Sequence, residues 1–190
     1  MVSAMRKPMT MAEFLEWEER QELRYEFDGF APVAMTGGTV AHDLITFNLR
    51  KALDTRLAGK PYQSFGPNVK MLVAGRVRYP DGVVVCGPVN LMSTIIDAPV
   101  VVFEVLSSDT ARTDRIEKLR EYQSTPSIQR YVMIEQGSMG ATVVERRGDI
   151  WTVSVVTAGG TLQMPEIGIE VQLDELYIGL DLPAEEESDR

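Results

Sequence analysis

Residues 78–86 read Arg-Tyr-Pro-Asp-Gly-Val-Val-Val-Cys, and residues 99–106 read Pro-Val-Val-Val-Phe-Glu-Val-Leu. The second run is apolar almost without alternation, the pattern of a strand covered on both faces of a mixed sheet in an α/β protein. It is expected to be central. Glu104 stands inside it, and a carboxylate there costs several kcal/mol unless a cation or a proton compensates it. For an isolated glutamate, a buried ion pair with an arginine or an edge position reaching water would suffice. Asp81, however, follows Pro80 at the entry of the preceding apolar run, 23 residues earlier. If the two runs are adjacent strands, the carboxylates come together. Pro-Asp-Gly is also a turn signal by itself, although Val83, Val84 and Val85 continue as a buried strand.

N-terminal to these runs, Thr10 and Glu13 have the capping-box spacing, which predicts a short helix carrying Phe14, Leu15 and Trp17. Residues 25–35 read as a β-hairpin turning at Asp28-Gly29. Ile45, Leu49, Leu53 and Leu57 recur every four residues between Val40 and Ala58, with Gly59 and Pro61 as stop signals, and predict the longest helix. Residues 68–73 read as a strand. C-terminal to the central run, 112–124 reads as an exposed helix with Asp114 and Lys118 at i,i+4. Residues 129–135, 141–147 and 150–156 read as strands, the last two joined through Gly148-Asp149. One domain is expected over residues 1–180, followed by a solvated acidic tail over 181–190.

Composition narrows the function classes. The chain has 190 residues, 44% hydrophobic and 25% charged, as in an ordinary globular protein. Its net charge is -9, of which the last ten residues, with five acids and one base, account for -4. That balance excludes nucleic-acid binding by the whole surface and leaves only local clusters of bases. Arg76 and Arg78 precede the Pro-Asp pair, and Arg112, Arg115 and Arg120 surround Lys118. A single cysteine, Cys86, and a single histidine, His42, exclude a disulfide framework and a His/Cys zinc site. They fit a reducing compartment, so a cytoplasmic location is expected, and no apolar run approaches a membrane span. No G-x-G-x-x-G, Walker A or G-x-S-x-G sequence occurs, so dinucleotide, P-loop and α/β-hydrolase readings have no motif to stand on.

Five pieces follow one another in order: Tyr25-Glu26-x-x-Gly29, His42 opening a helix, Pro80-Asp81, Glu104-Val105-Leu106-Ser107, and Asp114-x-x-x-Lys118-x-x-x-Tyr122. Through them the chain, from Thr10 to about Trp151, resembles the PD-(D/E)XK nuclease superfamily. Within it, the match is to the Uma-type family of small bacterial restriction-endonuclease-like proteins. The resemblance implies a restriction-endonuclease-like α/β core, a mixed central β-sheet flanked by helices. It also implies Mg²⁺, with Mn²⁺ as a substitute, held by Asp81 and Glu104, and hydrolysis of phosphodiester bonds in nucleic acid, DNA first. The backbone carbonyl of Val105 would complete an open, all-oxygen site.

The sequence departs from the superfamily pattern at Leu106, where the motif lysine belongs. The family's own pattern makes Lys118 the replacement. Lys118 would otherwise form an i,i+4 pair with Asp114 on a wet helix face, worth a few tenths of a kcal/mol. Glu26, His42, Asp114 and Tyr122 are accessory candidates, each with a plain structural alternative, and Lys70 is the rival cation. A homodimer is expected, since nucleases of this resemblance cut duplexes as symmetric pairs and the strands after residue 129 offer edges. The competing reading is a catalytically silent module that keeps the fold and binds a protein or nucleic-acid partner. The net acidity and the missing motif lysine point that way.

Overall fold

In a computed structural model, residues 8–35, 37–107 and 114–182 are described, without the side chains of Asp114 and Arg115. The predicted acidic tail therefore falls, from residue 183, outside the described residues, as do the first two residues of the predicted 112–124 helix.

The capping box forms: Glu13 N–H donates to Thr10 Oγ1 at 3.2 Å and Thr10 N–H to the Glu13 carboxylate at 2.7 Å. It opens α1 (Met11–Glu18). A hairpin of β1 (Tyr25–Phe27) and β2 (Pro32–Ala34) follows, and then α2 (Val40–Leu57). Ile45, Leu49, Leu53 and Leu57 are buried on one face of α2, as their spacing predicts. Gly59 takes φ +77° just past the helix end, a conformation that favours glycine.

The strands β3 (Tyr62–Phe65), β4 (Lys70–Val73), β5 (Arg76–Arg78), β6 (Gly82–Cys86), β7 (Ile95–Ile96) and β8 (Pro99–Leu106) come next. A π-helical turn over Asp114–Lys118 runs into α3 (Leu119–Gln123). The chain closes with β9 (Arg130–Glu135), β10 (Gly140–Arg147), β11 (Ile150–Thr157), a hairpin of β12 (Thr161–Met164) and β13 (Ile169–Gln172), and a 3-10 turn over Leu173–Tyr177. None of the described helices is long and apolar enough to cross a membrane.

Six strands form a mixed sheet in the order β11-β10-β9-β8-β6-β3, with β8 central, parallel to β9 and antiparallel to β6. The alternation of β8 divides its side chains between two cores. Val101, Phe103 and Val105 face α2 and the β12–β13 hairpin, where Leu49, Leu53, Leu162 and Val171 are buried with them. Val102 and Leu106 face the other way, against Met71 and Val73 of β4 and Tyr122 of α3. Period two puts Glu104 on that second face.

A second sheet has the order β2-β1-β5-β4-β7. This corrects the expectation of one strand over 78–86. Arg78 ends β5 in the five-stranded sheet, Gly82 begins β6 in the six-stranded one, and Tyr79-Pro80-Asp81 passes the chain between them. Pro80 has no N–H to give a ladder, so the pairing stops there and a different sheet begins. Residues 157–180, which carried no sequence expectation, supply the β12–β13 hairpin and the 3-10 turn. Leu162, Val171, Leu173 and Leu176 there cover the α2 side of the core.

Gly82 is needed at the crossing. A Cβ on it would lie 3.2 Å from Leu49 Cδ2 and 3.3 Å from Phe103 Cβ, tighter than ordinary contact, and Phe103 is locked in the central strand. Gly82→Ala should therefore cost about 1–3 kcal/mol, the usual cost of overpacking. Urea unfolding of the variant reads this directly; an unchanged midpoint would mean that α2 yields freely at Leu49.

Candidate active site

Gly82 pairs with Phe103 across the β6–β8 ladder. Continuing that register by one residue sets Asp81 beside Glu104, and strand neighbours lie about 4.5–5.5 Å apart at Cα. Asp81 is past the end of β6, so its carboxylate does what the strand backbone no longer does. Its Oδ2 accepts from Val105 N–H at 2.7 Å. An extended residue presents its N–H and C=O to the same edge. The Val105 carbonyl therefore faces the side on which Asp81 sits.

His42, in the first turn of α2, joins this corner. Its backbone N–H is capped by Thr39 Oγ1 at 3.1 Å, and its Nε2 lies 3.2 Å from Asp81 Oδ2. The hydrogen bond to Asp81 raises the His42 pKa above 6.5. Burial opposes the shift, while the charges of Asp81 and Asp43 and the Val105 backbone add to it.

Glu104 is 4% exposed. Its Oε1 accepts from Lys118 Nζ at 2.9 Å and from Tyr122 Oη at 2.9 Å, so the helix after β8 supplies both a charge and a neutral donor. The four-residue spacing of Lys118 and Tyr122 is what brings both over one carboxylate. Tyr122 is fully buried, edge-on to Tyr131 with 4.8 Å between ring centres. Burial first, and then the Glu104 charge, push its pKa well above 10, so it stays a hydrogen-bond donor.

Glu26 holds this arrangement to the second sheet. It lies 3.6 Å from Lys118 Nζ, accepts from Arg78 Nη1 at 2.9 Å and accepts from Tyr79 N–H at 3.2 Å. Arg78, only 2% exposed, reaches past it to grip Glu121 with two bonds, at 2.8 and 2.6 Å. Arg78 therefore belongs to the interior and not to the basic surface cluster expected from the sequence. Arg112 lies outside the described residues, as does the Arg115 side chain. The Asp114 side chain falls outside them too. Lys70, the rival cation, pairs with Glu18, which also accepts from Tyr79 Oη at 2.5 Å. Glu18 and Glu121 were not singled out from the sequence. Glu121 had a signal, since it stands three residues after Lys118 and so shares its helix face.

Among the described residues, no three of His, Cys, Asp and Glu converge as a ready-made metal cluster. The donor set that remains is two carboxylates on neighbouring chain segments and a backbone carbonyl on the same edge. All are hard oxygen donors, the chemistry that Mg²⁺ or Mn²⁺ takes while keeping several waters. The residues fit such an ion.

Comparison with known proteins bears on this geometry. A family model, Uma2, described as "Putative restriction endonuclease", matches residues 11–178. The chain belongs to the Uma2 family. The Uma2 match takes in both sheets and every residue of the corner just described. Two proteins of Synechocystis sp. (strain ATCC 27184 / PCC 6803 / Kazusa) are similar to it. The uncharacterized protein slr1290 is 31% identical over 172 residues, covering 88% of this chain and 90% of its own, and the uncharacterized protein sll1609 is 27% identical over 154 residues, covering 78% and 87%. Among solved structures, a "putative nuclease belonging to DUF820" from Anabaena variabilis ATCC 29413 superposes with a TM-score of 0.74 at 16% identity, covering 89% of this chain and 97% of its own. That likeness shows the fold: the α/β architecture expected from the sequence is the architecture of that protein.

His42 is the only histidine, so its ring gives one isolated NMR signal. In metal-free protein it should titrate above 6.5, and Asp81→Asn should lower that value. The stabilisation from the pair is full below the unfolded value of about 6.5 and is lost as pH rises through the higher folded one. Titration of wild type at or below 6.5 would rule out the pairing.

Proposed function

We propose that this chain is a divalent-metal-dependent nuclease that hydrolyses phosphodiester bonds of nucleic acid, DNA in the first instance. Asp81, Glu104 and the Val105 carbonyl hold Mg²⁺, and Mn²⁺ can substitute for it. A cation bound there supplies Lewis-acid charge at the scissile phosphate and acidifies a water at neutral pH. The observation that carries the reading is the 2.9 Å contact between Lys118 and Glu104. It puts an ammonium beside the carboxylate although the motif position, residue 106, is leucine.

The side chains divide the work. Asp81 is aimed by Val105 N–H and by His42, so its remaining oxygen meets a cation in a set orientation. Lys118, shared by Glu104 and Glu26, keeps a positive charge next to the place where charge builds on the phosphate. Tyr122 fixes the rotamer of Glu104. Glu26, whose oxygens are taken by Arg78 and the Tyr79 amide, acts as a positioning residue for Lys118. A homodimer stays part of the proposal, since the edge strand β11 leaves Val153 and Val155 exposed. So does a cytoplasmic location, which suits an exposed free Cys86.

Calorimetric titration with Mg²⁺ or Mn²⁺ should give a binding signal that disappears in Asp81→Ala and in Glu104→Ala. Equal binding by all three proteins would sink the shared site. Lys118→Ala should leave metal binding nearly intact and lower Mg²⁺-dependent cleavage about 10²-fold to 10³-fold, the usual cost of one lost transition-state contact. Lys70→Ala, whose ammonium is paired with Glu18 and not with Glu104, should cleave like wild type where it folds. Cleavage of neither single-stranded nor double-stranded substrate by purified wild type would leave the silent binding module as the better reading.

A further inference from the structure

We propose that the groove along the outer side of α2 is a subsite for an unpaired nucleotide, with the base stacked on Phe47 and a phosphate held by Arg50 and Lys51. The substrate class rests on the nuclease reading above; the groove itself does not. It has a volume of about 570 Å³ and is walled by α2 on one side and by the loop at Pro67 on the other. Cavities that hold small ligands span ~300–1,000 Å³. Asp43, Phe47, Arg50 and Asp54 recur at three- and four-residue steps, so they form one stripe of the helix. The stripe starts next to His42, which touches Asp81, and runs for roughly 16 Å at 1.5 Å per residue. Thr46, which lines the groove, stands one turn after His42 on the same side of α2.

Two buried polar atoms in this groove have no protein partner. Thr46, 8% exposed, has an unbonded Oγ1, and Arg50 has an unbonded Nε. Leaving such groups buried and unpaired is unfavourable, so their presence needs a reason. Arg50 stands apart from the other buried or half-buried arginines. Arg56, Arg76, Arg78 and Arg130 are ion-paired and Arg146 gives its N–H groups to the carbonyls of Ile128, Gln123 and Thr125, whereas Arg50 forms no ion pair among the described residues. Packing holds it instead: a Cβ on Gly66 would fall 2.5 Å from Arg50 Nη1, so the guanidinium lies tight on that backbone. A fork held in place with donors to spare suits a phosphate.

Phe47 is 61% exposed beside it, an aromatic face open to solvent in the same groove. Charge and stacking then decide which strand it takes. The groove also carries Asp43 and Asp54, the latter accepting from Ser64. With two acids against two bases, and a chain charge of -9, it offers no broad electrostatic pull on a duplex backbone. Stacking on Phe47 is sequence-tolerant and needs a base that is out of its pair. The fit is therefore to single-stranded or splayed nucleic acid.

The test is fluorescence anisotropy in EDTA with a labelled single-stranded DNA oligonucleotide, which removes any dependence on cleavage. Phe47→Ala should weaken binding roughly 5-fold to 150-fold, the range for loss of one stacked base, and Phe47→Trp should restore it. Phe47 is exposed, so its truncation leaves the core intact. On an abasic strand of equal length, wild type and Phe47→Ala should bind alike, while Arg50→Gln should weaken binding to both strands. Equal affinity of wild type and Phe47→Ala for the normal strand would overturn the proposal, as would a Phe47→Ala defect of the same size on the abasic strand. A fall in particle mass in Phe47→Ala with no strand binding by wild type would show an interface between copies instead. If the Phe47 effect is present but wild type cleaves nothing with Mg²⁺, the nuclease reading fails and the subsite stands. If cleavage is present and Phe47→Ala binds like wild type, the subsite fails alone.

Discussion

Burial of the Glu104 carboxylate in the middle of β8 organises the molecule around itself. An uncompensated charge at that depth would cost several kcal/mol, so the segment after β8 must return and set Lys118 and Tyr122 over it. Lys118 in turn is shared with Glu26, Glu26 with Arg78, and Arg78 with Glu121 on the same helix as Tyr122. The chain of charges closes on itself. It ties the hairpin β1–β2, the crossing at Pro80, the central strand and α3 into one arrangement, and each member is buried only because its neighbours are present. Removing one partner leaves another charge buried without a counter-charge, which is far more costly than losing an exposed ion pair.

The passage between the two sheets has a chemical consequence. Pro80 cannot continue a ladder and Gly82 admits α2 and Phe103 at close range, so Asp81 sits between them at the open end of β6. There it bonds to the Val105 amide that no longer has a strand partner. The aspartate is at once the cap of a ladder and a metal-ligand candidate, and the same geometry serves both. His42 comes to this point because Thr39 caps α2 and directs its first turn at the sheet end.

Net acidity looked like the main obstacle to a nucleic-acid substrate. Part of the basic charge expected to relieve it is taken up inside the protein: Arg78 is interior, held by Glu26 and Glu121, and Arg76 is ion-paired with Glu121. Recognition by a few placed contacts, with little attraction from the surface as a whole, is the mode compatible with that distribution. Steering by long-range field is weak here, and complementarity at short range has to replace it.

Much of this was legible in the sequence. The apolar run 99–106 declared a central strand because a doubly covered strand has no reason to alternate, and the anomaly of Glu104 within it marked the candidate site. The period of α2 and the capping box of α1 were equally plain, being contests between neighbours a few residues apart. What the sequence by itself determined is thus the local elements and the identity of Asp81, Glu104 and Lys118 as residues to watch. Only the tertiary structure decided that 78–86 is two strands in two sheets, that Lys118 lies against Glu104, and that Arg78 is interior while Arg50 forms no ion pair among the described residues. Those outcomes depend on which distant segments meet, Glu26 with Arg78 across 52 residues and Arg78 with Glu121 across 43. A carboxylate in sequence carries no mark of the cation that will be packed against it, because the partner is selected by the packing of whole sheets and not by local spacing.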